Sequence, residues 1–276
     1  MKKDRSLLWT QCSIELLESD FLVSDIERAF DMIAQFESKY SRFLMDNTLE
    51  ELNTKKEIVY DKELLTLTRF GIQLWNISQW HFDISVLPYL ENNGYGISET
   101  YIKEDIWYQH IELSETKILL KNNISIEFWA YGKGYMLDKV WHFLSQKYNN
   151  FILEFWGDIK VNGERDIYLE NPSTKNNYYG KIPVHNAALT SSNGSKRVFW
   201  NNSHHLINAK TGKSLNTVHT VFCYHNKWMF ADGFATLLSV TPKEVSKEIM
   251  KNTQWLEAFV IYNDGSELRS WRFVNL

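Results

Sequence analysis

Proline is scarce in this chain, four residues in 276, and no glycine- or serine-rich tract interrupts it, so nothing marks a linker between separate units. No repeat of fixed period is present, which excludes solenoids and propellers. Cysteine is nearly absent: Cys12 and Cys223 are too few for a disulfide framework and lack zinc-site spacing, so both read as buried thiols. There is no basic excess, and a net charge of −4 with a pI near 6.1 leaves no footprint for nucleic acid. Long apolar runs are missing too. Near the start only Leu7-Leu8-Trp9 precedes Thr10-Gln11, too short for a signal peptide or a membrane span. Cys12 follows Trp9-Thr10-Gln11, where a lipidation site would carry small residues. The direct reading is a cytoplasmic protein.

What the chain has in quantity is aromatic: 15% of residues, with eleven tryptophans. Such a content signals core and rim packing first, and a stacking surface for a flat ligand second. At 276 residues a substantial core is expected, in one domain over 1–276 or in two closely packed lobes.

Residues 7–17 are rich in apolar side chains and read as an opening strand. Ser24 with Glu27 forms a capping-box pattern, and Ile26, Ala29, Phe30, Ile33, Phe36 and Tyr40 recur at helical spacing to about Phe43. A second helix is expected over 61–78, with Leu64, Leu65, Leu67, Phe70, Leu74 and Trp75 as its stripe. Short strands are expected at 117–120, 125–129, 151–155 and 167–169, and a helix at 134–148 burying Leu137, Val140, Trp141 and Leu144. Strands at 217–224 and 228–230 then lead into a helix carrying Asp232 and Thr236, followed by a helix at 242–251 and two terminal strands. Strands and helices do not alternate regularly, so the class is α+β, mixed sheets with packed helices.

Asp232 and Thr236 stand four apart in Ala-Asp-Gly-Phe-Ala-Thr, which on a helix puts a carboxylate and a hydroxyl on one face. That pair suits a hard cation open to water and phosphates. It also suits an ordinary helix cap or dipole partner. Lys133, between Gly132 and Gly134, is either a surface lysine or a cation reaching a phosphate or ribose oxygen. Asp83 at a turn is an Asx cap or a ligand contact.

These residues fall in a succession: Phe82-Asp83-Ile84-Ser85-Val86-Leu87-Pro88, Gly94-Tyr95-Gly96, Gly132-Lys133-Gly134-Tyr135-Met136-Leu137-Asp138, Trp156-Gly157-Asp158-Ile159, Thr190-Ser191, and His205 through Gly212, closed by Ala-Asp-x-x-Ala-Thr. The order and spacing resemble the ApbE family of FAD:protein FMN transferases from about residue 5 to about residue 262. The resemblance implies an ApbE-like, T-fold-like architecture, with FAD as substrate and magnesium as cofactor. It implies transfer of FMN through a phosphoester to a threonine or serine of an acceptor protein carrying a D-x-x-(S/T)-G-A-T type motif. Many members are exported lipoproteins, and a processed chain of that kind would start the same way.

Carried over residue by residue, the metal ligands are Asp232, Thr236 and the backbone carbonyl of Ala130, and the catalytic pair is His205 with Asp232. The flavin nucleotide falls to Phe43, His81, Phe82, Asp83, Glu127, Lys133, Thr190, Ser191 and Ile207. Histidine is the natural base near neutral pH. Phe43 suits core packing equally, and Thr190 and Ser191 suit loop hydroxyls that satisfy their own backbone. The chain departs from the family pattern in several places: Glu127 replaces an aspartate, Trp129 a small residue, Ser192 a glycine, and Asn208-Ala209 an Asp-Pro pair, the last suggesting a looser loop. Two alternatives follow, a flavin-binding protein without transfer and a pyrophosphatase giving FMN and AMP.

Overall fold

The computed structural model describes residues 1–59, 61–92, 108–174, 177–194 and 204–276; Gly94-Tyr95-Gly96 lies outside them. The expected opening strand is a hairpin, β1 (Lys2–Leu7) paired antiparallel with β2 (Thr10–Leu16). Leu8 and Trp9 at φ 52° and 56° make its two-residue turn. Helix α1 (Val23–Tyr40) follows, with its N-cap at Leu22 and no side-chain cap. The Ser24/Glu27 capping box does not form, because Glu27 reaches back to Lys3 and Arg5 on β1. The Leu22 N–H donates to the Tyr148 hydroxyl at 3.0 Å instead.

Helix α2 (Thr48–Lys55) is capped by Asn47, whose side chain accepts from the N–H groups of Leu49 and Glu50. Strand β3 (Glu57–Val59) precedes α3 (Lys62–Ile77), which Asp61 caps through the Leu64 N–H. The expected stripe of α3 is buried. After α4 (Leu87–Asn92), strands β4 (Ile111–Leu113) and β5 (Lys117–Leu120) join β3 in a small antiparallel sheet, order β3-β5-β4.

No strand forms at 125–129, because that backbone is paired elsewhere, largely with side chains. Asn53 brackets Ile126, donating to its carbonyl at 2.9 Å and accepting its N–H at 2.8 Å. The Glu127 N–H donates to the Ile84 carbonyl, and the Glu127 carboxylate accepts the Trp129 N–H at 2.6 Å. With those groups taken, no ladder can extend.

The main sheet is antiparallel throughout. After α5 (Gly132–Ser145) come β6 (Phe151–Phe155), β7 (Asp158–Asn162), the hairpin β8 (Glu164–Glu170) and β9 (Tyr178–His185), and β10 (Ala188–Ser192). Then follow the short pair β11 (Ile207–Asn208) and β12 (Lys213–Ser214), β13 (Val218–His225), α6 (Trp228–Val240), α7 (Lys243–Asn252), β14 (Glu257–Tyr262) and β15 (Glu267–Arg269). Eight strands align as β1-β2-β6-β7-β10-β13-β14-β15. Alternation splits the core between its two faces: Val221 and Cys223 pack with the helices, while Phe222 joins Leu169, Ile182 and Phe259 beside the β8–β9 hairpin. Both cysteines are free and buried, with the Cys12 thiol pushed up to about 12 by burial. Among the described residues no helix is long and apolar enough to cross a membrane.

Residues 228–230, expected as a strand, are the first turn of α6. The Asp138 carboxylate on α5 accepts the N–H groups of Trp228 and Met229 at 2.8 and 2.9 Å and so starts the helix there. At the same crossing, a Cβ on Gly134 would lie 2.7 Å from the Trp228 carbonyl oxygen and 2.8 Å from the Met229 Cα. Backbone cannot yield as a side-chain tip can. Gly134→Ala is therefore expected to destabilise the protein by about 1–3 kcal/mol through overpacking, read as a lower denaturation midpoint; an unchanged midpoint would show that the helices can separate freely.

Candidate active site

A cleft opens where the start of α5, one face of α6 and the ends of β7 and β10 meet. Of the expected site residues, Phe82, Asp83, Glu127, Ala130, Lys133, Ser191, His205, Ile207, Asp232 and Thr236 line it. Asp232 and Thr236 do share a helix face. The Thr236 hydroxyl donates to the Ala130 carbonyl at 3.4 Å, so the three oxygen donors expected for a cation gather in one place. The sequence pattern suggests a carboxylate on the cleft surface, but Asp232 is only 6% exposed. Its Oδ2 accepts the Gly134 N–H at 3.1 Å, and its Oδ1 lies 3.5 Å from the Lys133 Nζ. Burial pushes the Asp232 carboxyl well above the usual carboxylate range, with Lys133 opposing and Asp158 reinforcing the shift.

Lys133 is no surface lysine. It is mostly buried and stands 3.5 Å from both Asp158 and Asp232, with its Nζ 5.9 Å from the centre of the Trp129 ring. Asp158 in turn accepts the Ser191 N–H at 2.8 Å, which ties β7 to β10. Asp83 accepts both the N–H and the hydroxyl of Ser85 at 2.8 Å, so the Asx turn and the cleft position coexist. Burial raises the Glu127 carboxyl, with Arg42 opposing.

The two adjacent histidines divide cleanly. His204 is buried and accepts the Leu206 N–H at its Nδ1, 3.2 Å away, and burial lowers its pKa. His205 lines the cleft.

Three expected contacts lie off the cleft. Thr190 and Ser191 are on β10 rather than in a loop, and period-2 alternation separates them: Thr190, opposite Cys223, is buried on the helix side of the sheet, while Ser191, opposite Phe222, lines both the cleft and the groove beside the β8–β9 hairpin. Phe43 follows the end of α1 and stands edge-on to Trp129, centroids 6.0 Å apart. His81 is buried behind the cleft, where the Asn208 amide donates to its Nδ1 at 2.7 Å. Burial lowers the His81 pKa, helped by Lys210.

That contact overturns the expectation of a looser 208 loop. The Asn208 amide nitrogen also donates to the Val240 carbonyl at 2.8 Å, while its oxygen accepts the Lys210 N–H at 3.0 Å. The loop is tied to the end of α6. Among the cleft residues given no role by the resemblance are Trp156, Asp158 and Asn193; a signal for the first two was present in Trp156-Gly157-Asp158, a turn pair followed by a carboxylate.

An antiparallel sheet with helices on one face and a buried, mixed-charge cleft at their seam defines the class. Comparison with known proteins then identifies the family: the ApbE family model matches residues 8–260, and the chain belongs to that family. A FAD:protein FMN transferase from Vibrio cholerae serotype O1 is 22% identical over 279 residues, covering 90% of this chain and 82% of that one. The fold matches the ApbE protein of Thermotoga maritima MSB8 with a TM-score of 0.89 at 17% identity, over 99% of this chain and 97% of that one. It also matches the flavin transferase ApbE from Vibrio cholerae with a TM-score of 0.86 at 18% identity, over 100% and 98% of the two chains. At such identities the structural likeness speaks for the fold alone.

Asn208 yields a test. Asn208→Asp removes the donor to the Val240 carbonyl and sets oxygen against oxygen, which is expected to cost about 1–3 kcal/mol of stability. Urea denaturation reads it, and an unchanged midpoint would mean that the amide does not tether the loop.

Proposed function

We propose that this protein is a magnesium-dependent FAD:protein FMN transferase that attaches FMN through a phosphoester to a threonine or serine of an acceptor protein with a D-x-x-(S/T)-G-A-T type motif. The observation that carries this reading is the meeting of the Asp232 carboxylate, the Thr236 hydroxyl and the Ala130 carbonyl beside Lys133 and His205 in one cleft.

The donor set fits a hard cation, being all oxygen with one carboxylate. Electrostatics favours one as well. Asp83, Glu127, Asp158 and Asp232 line the cleft, and Lys133 is the only lysine or arginine among the described lining residues, so a pyrophosphate entering alone meets charge of its own sign. Magnesium held by Asp232, Thr236 and Ala130 would neutralise phosphate charge. Among the described residues no cluster of three or more His, Cys, Asp or Glu could hold a metal.

The reaction divides among the chain's own residues. Lys133 orients the phosphates. His205 takes the proton of the acceptor hydroxyl as its oxygen bonds to the phosphorus of the FMN half, and the bond to the AMP half breaks, releasing AMP. The chain carries no acceptor motif of its own, so the acceptor comes from another protein.

Incubation of a motif-bearing acceptor with this protein, FAD and magnesium is expected to add the mass of FMN to the acceptor and release one AMP for each adduct. AMP without adduct would make the protein a pyrophosphatase. Neither product, alongside saturable FAD binding, would leave a binding protein.

Asp232 has a folding duty as well, so Asp232→Asn is the cleaner variant: its amide oxygen still accepts the Gly134 N–H. Turnover at limiting magnesium should fall by about a hundredfold or more, because a metal's charge stabilisation is worth several kcal/mol, with the denaturation midpoint little changed. Thr236→Ala should be milder. Wild-type rates for Asp232→Asn would remove Asp232 from the metal site.

A further inference from the structure

Trp156 breaks a local rule. Phe155 pairs with Asp158, so Trp156-Gly157 is the two-residue turn of the β6–β7 hairpin, with φ of 51° and 90°. Turns of this kind favour Asn, Asp or Gly at the first position, where a bulky side chain is strained. The indole is also 47% exposed, which leaves a large apolar surface in water. Strain and exposure together disfavour this residue for folding. Both fall on the wall of the cleft, where strained residues cluster for functional reasons.

Trp129 lines the same cleft under opposite conditions. Glu127 holds its N–H at 2.6 Å and Phe43 supports the ring edge-on at 6.0 Å. The Lys133 ammonium lies 5.9 Å from its ring centre and 3.5 Å from Asp158, at the foot of the Trp156 turn. One indole is fixed from behind and the other is carried on an exposed turn, with the phosphate-directed cation near both.

We propose that Trp129 and Trp156 form an aromatic clamp for the planar heterocycle of the nucleotide substrate, Trp129 as the fixed wall and Trp156 as the jaw. The proposal rests on reading the cleft as a flavin dinucleotide site. Indole faces stack on any flat heteroaromatic ring, whereas Lys133 and a bound cation address only phosphates. The clamp thus selects nucleotides over bare pyrophosphate in a cleft whose acidic lining repels both.

The decisive variant is Trp156→Gly, because glycine accepts a φ of 51° without strain. Its melting temperature is expected to equal or exceed that of the wild type, while Kd for FAD rises about tenfold or more, as loss of a base–aromatic stack does elsewhere. Trp156→Phe, which keeps a stacking face, should hold Kd within about threefold. Trp129→Leu, which keeps apolar volume against Phe43, should weaken FAD by about the factor seen for Trp156→Gly. Inhibition by inorganic pyrophosphate should be unchanged throughout. A Kd for Trp156→Gly within about twofold of wild type overturns the clamp; so does a fall in melting temperature that accompanies the loss of affinity, which would mark Trp156 as structural. An unchanged Kd for Trp129→Leu also overturns it. Absence of FAD binding by the wild-type protein defeats the functional reading itself and the clamp with it, an outcome distinct from the other three.

Discussion

Two aspartates hold α5 and α6 to each other at their starts, and the cleft depends on that seam. Asp138 of α5 accepts the first N–H groups of α6, and Asp232 of α6 accepts the Gly134 N–H at the start of α5. Each helix supplies the carboxylate that satisfies the other's unpaired donors and matches its dipole. Hydrogen bonds to a charged group contribute about 1.5–3 kcal/mol, a range that applies to Asp138, whereas at Asp232 the cost of burying the charge offsets much of it. The bonds across the seam close only because Gly134 lets backbone meet backbone. Lys160, buried on β7, pairs with Asp138 and prevents an isolated buried charge. Burial holds the Lys160 pKa down while Asp138 pulls it up.

From the seam the relative positions of Lys133, Asp232 and Thr236 follow. Lys133 sits one residue before Gly134, and Thr236 one turn along α6 from Asp232, so holding the helix starts together places the ammonium, the carboxylate and the hydroxyl as one group. The sheet adds Asp158 and Ser191, whose mutual hydrogen bond ties the ends of β7 and β10 to the same point. The site therefore stands on rigid elements on most sides, which is the arrangement that holds catalytic geometry best.

What was legible in the sequence was local. The stripe of α3 and the shared face of Asp232 and Thr236 follow from helical periodicity, and both are present. What failed was set by partners distant in sequence. Residues 228–230 have strand-like composition, yet Asp138, 90 positions earlier, starts a helix there. Residues 125–129 alternate like a strand, yet Asn53, 73 positions from Ile126, occupies the backbone. The Ser24/Glu27 pattern is a valid capping box until β1 offers Glu27 two cations. In the site, the motif order marked out most of the cleft but could not separate residues that line it from those behind it. His81 and Phe43 act through Asn208 and Trp129, and that distinction exists only in three dimensions.

The choice between a capping aspartate and a ligand aspartate dissolves on the same ground. Each acidic residue lining the cleft serves the backbone: Asp83 accepts from Ser85, Glu127 from Trp129, Asp158 from Ser191 and Asp232 from Gly134. A carboxylate has about four lone-pair positions, so one backbone N–H fixes its place and leaves room for a cation or a substrate group. The negative charges of the cleft are thus oriented by folding before anything binds, and little reorganisation is left for the moment of reaction. A residue that looks like an ordinary cap in the sequence is, in this cleft, a carboxylate that the backbone holds in place along the lining.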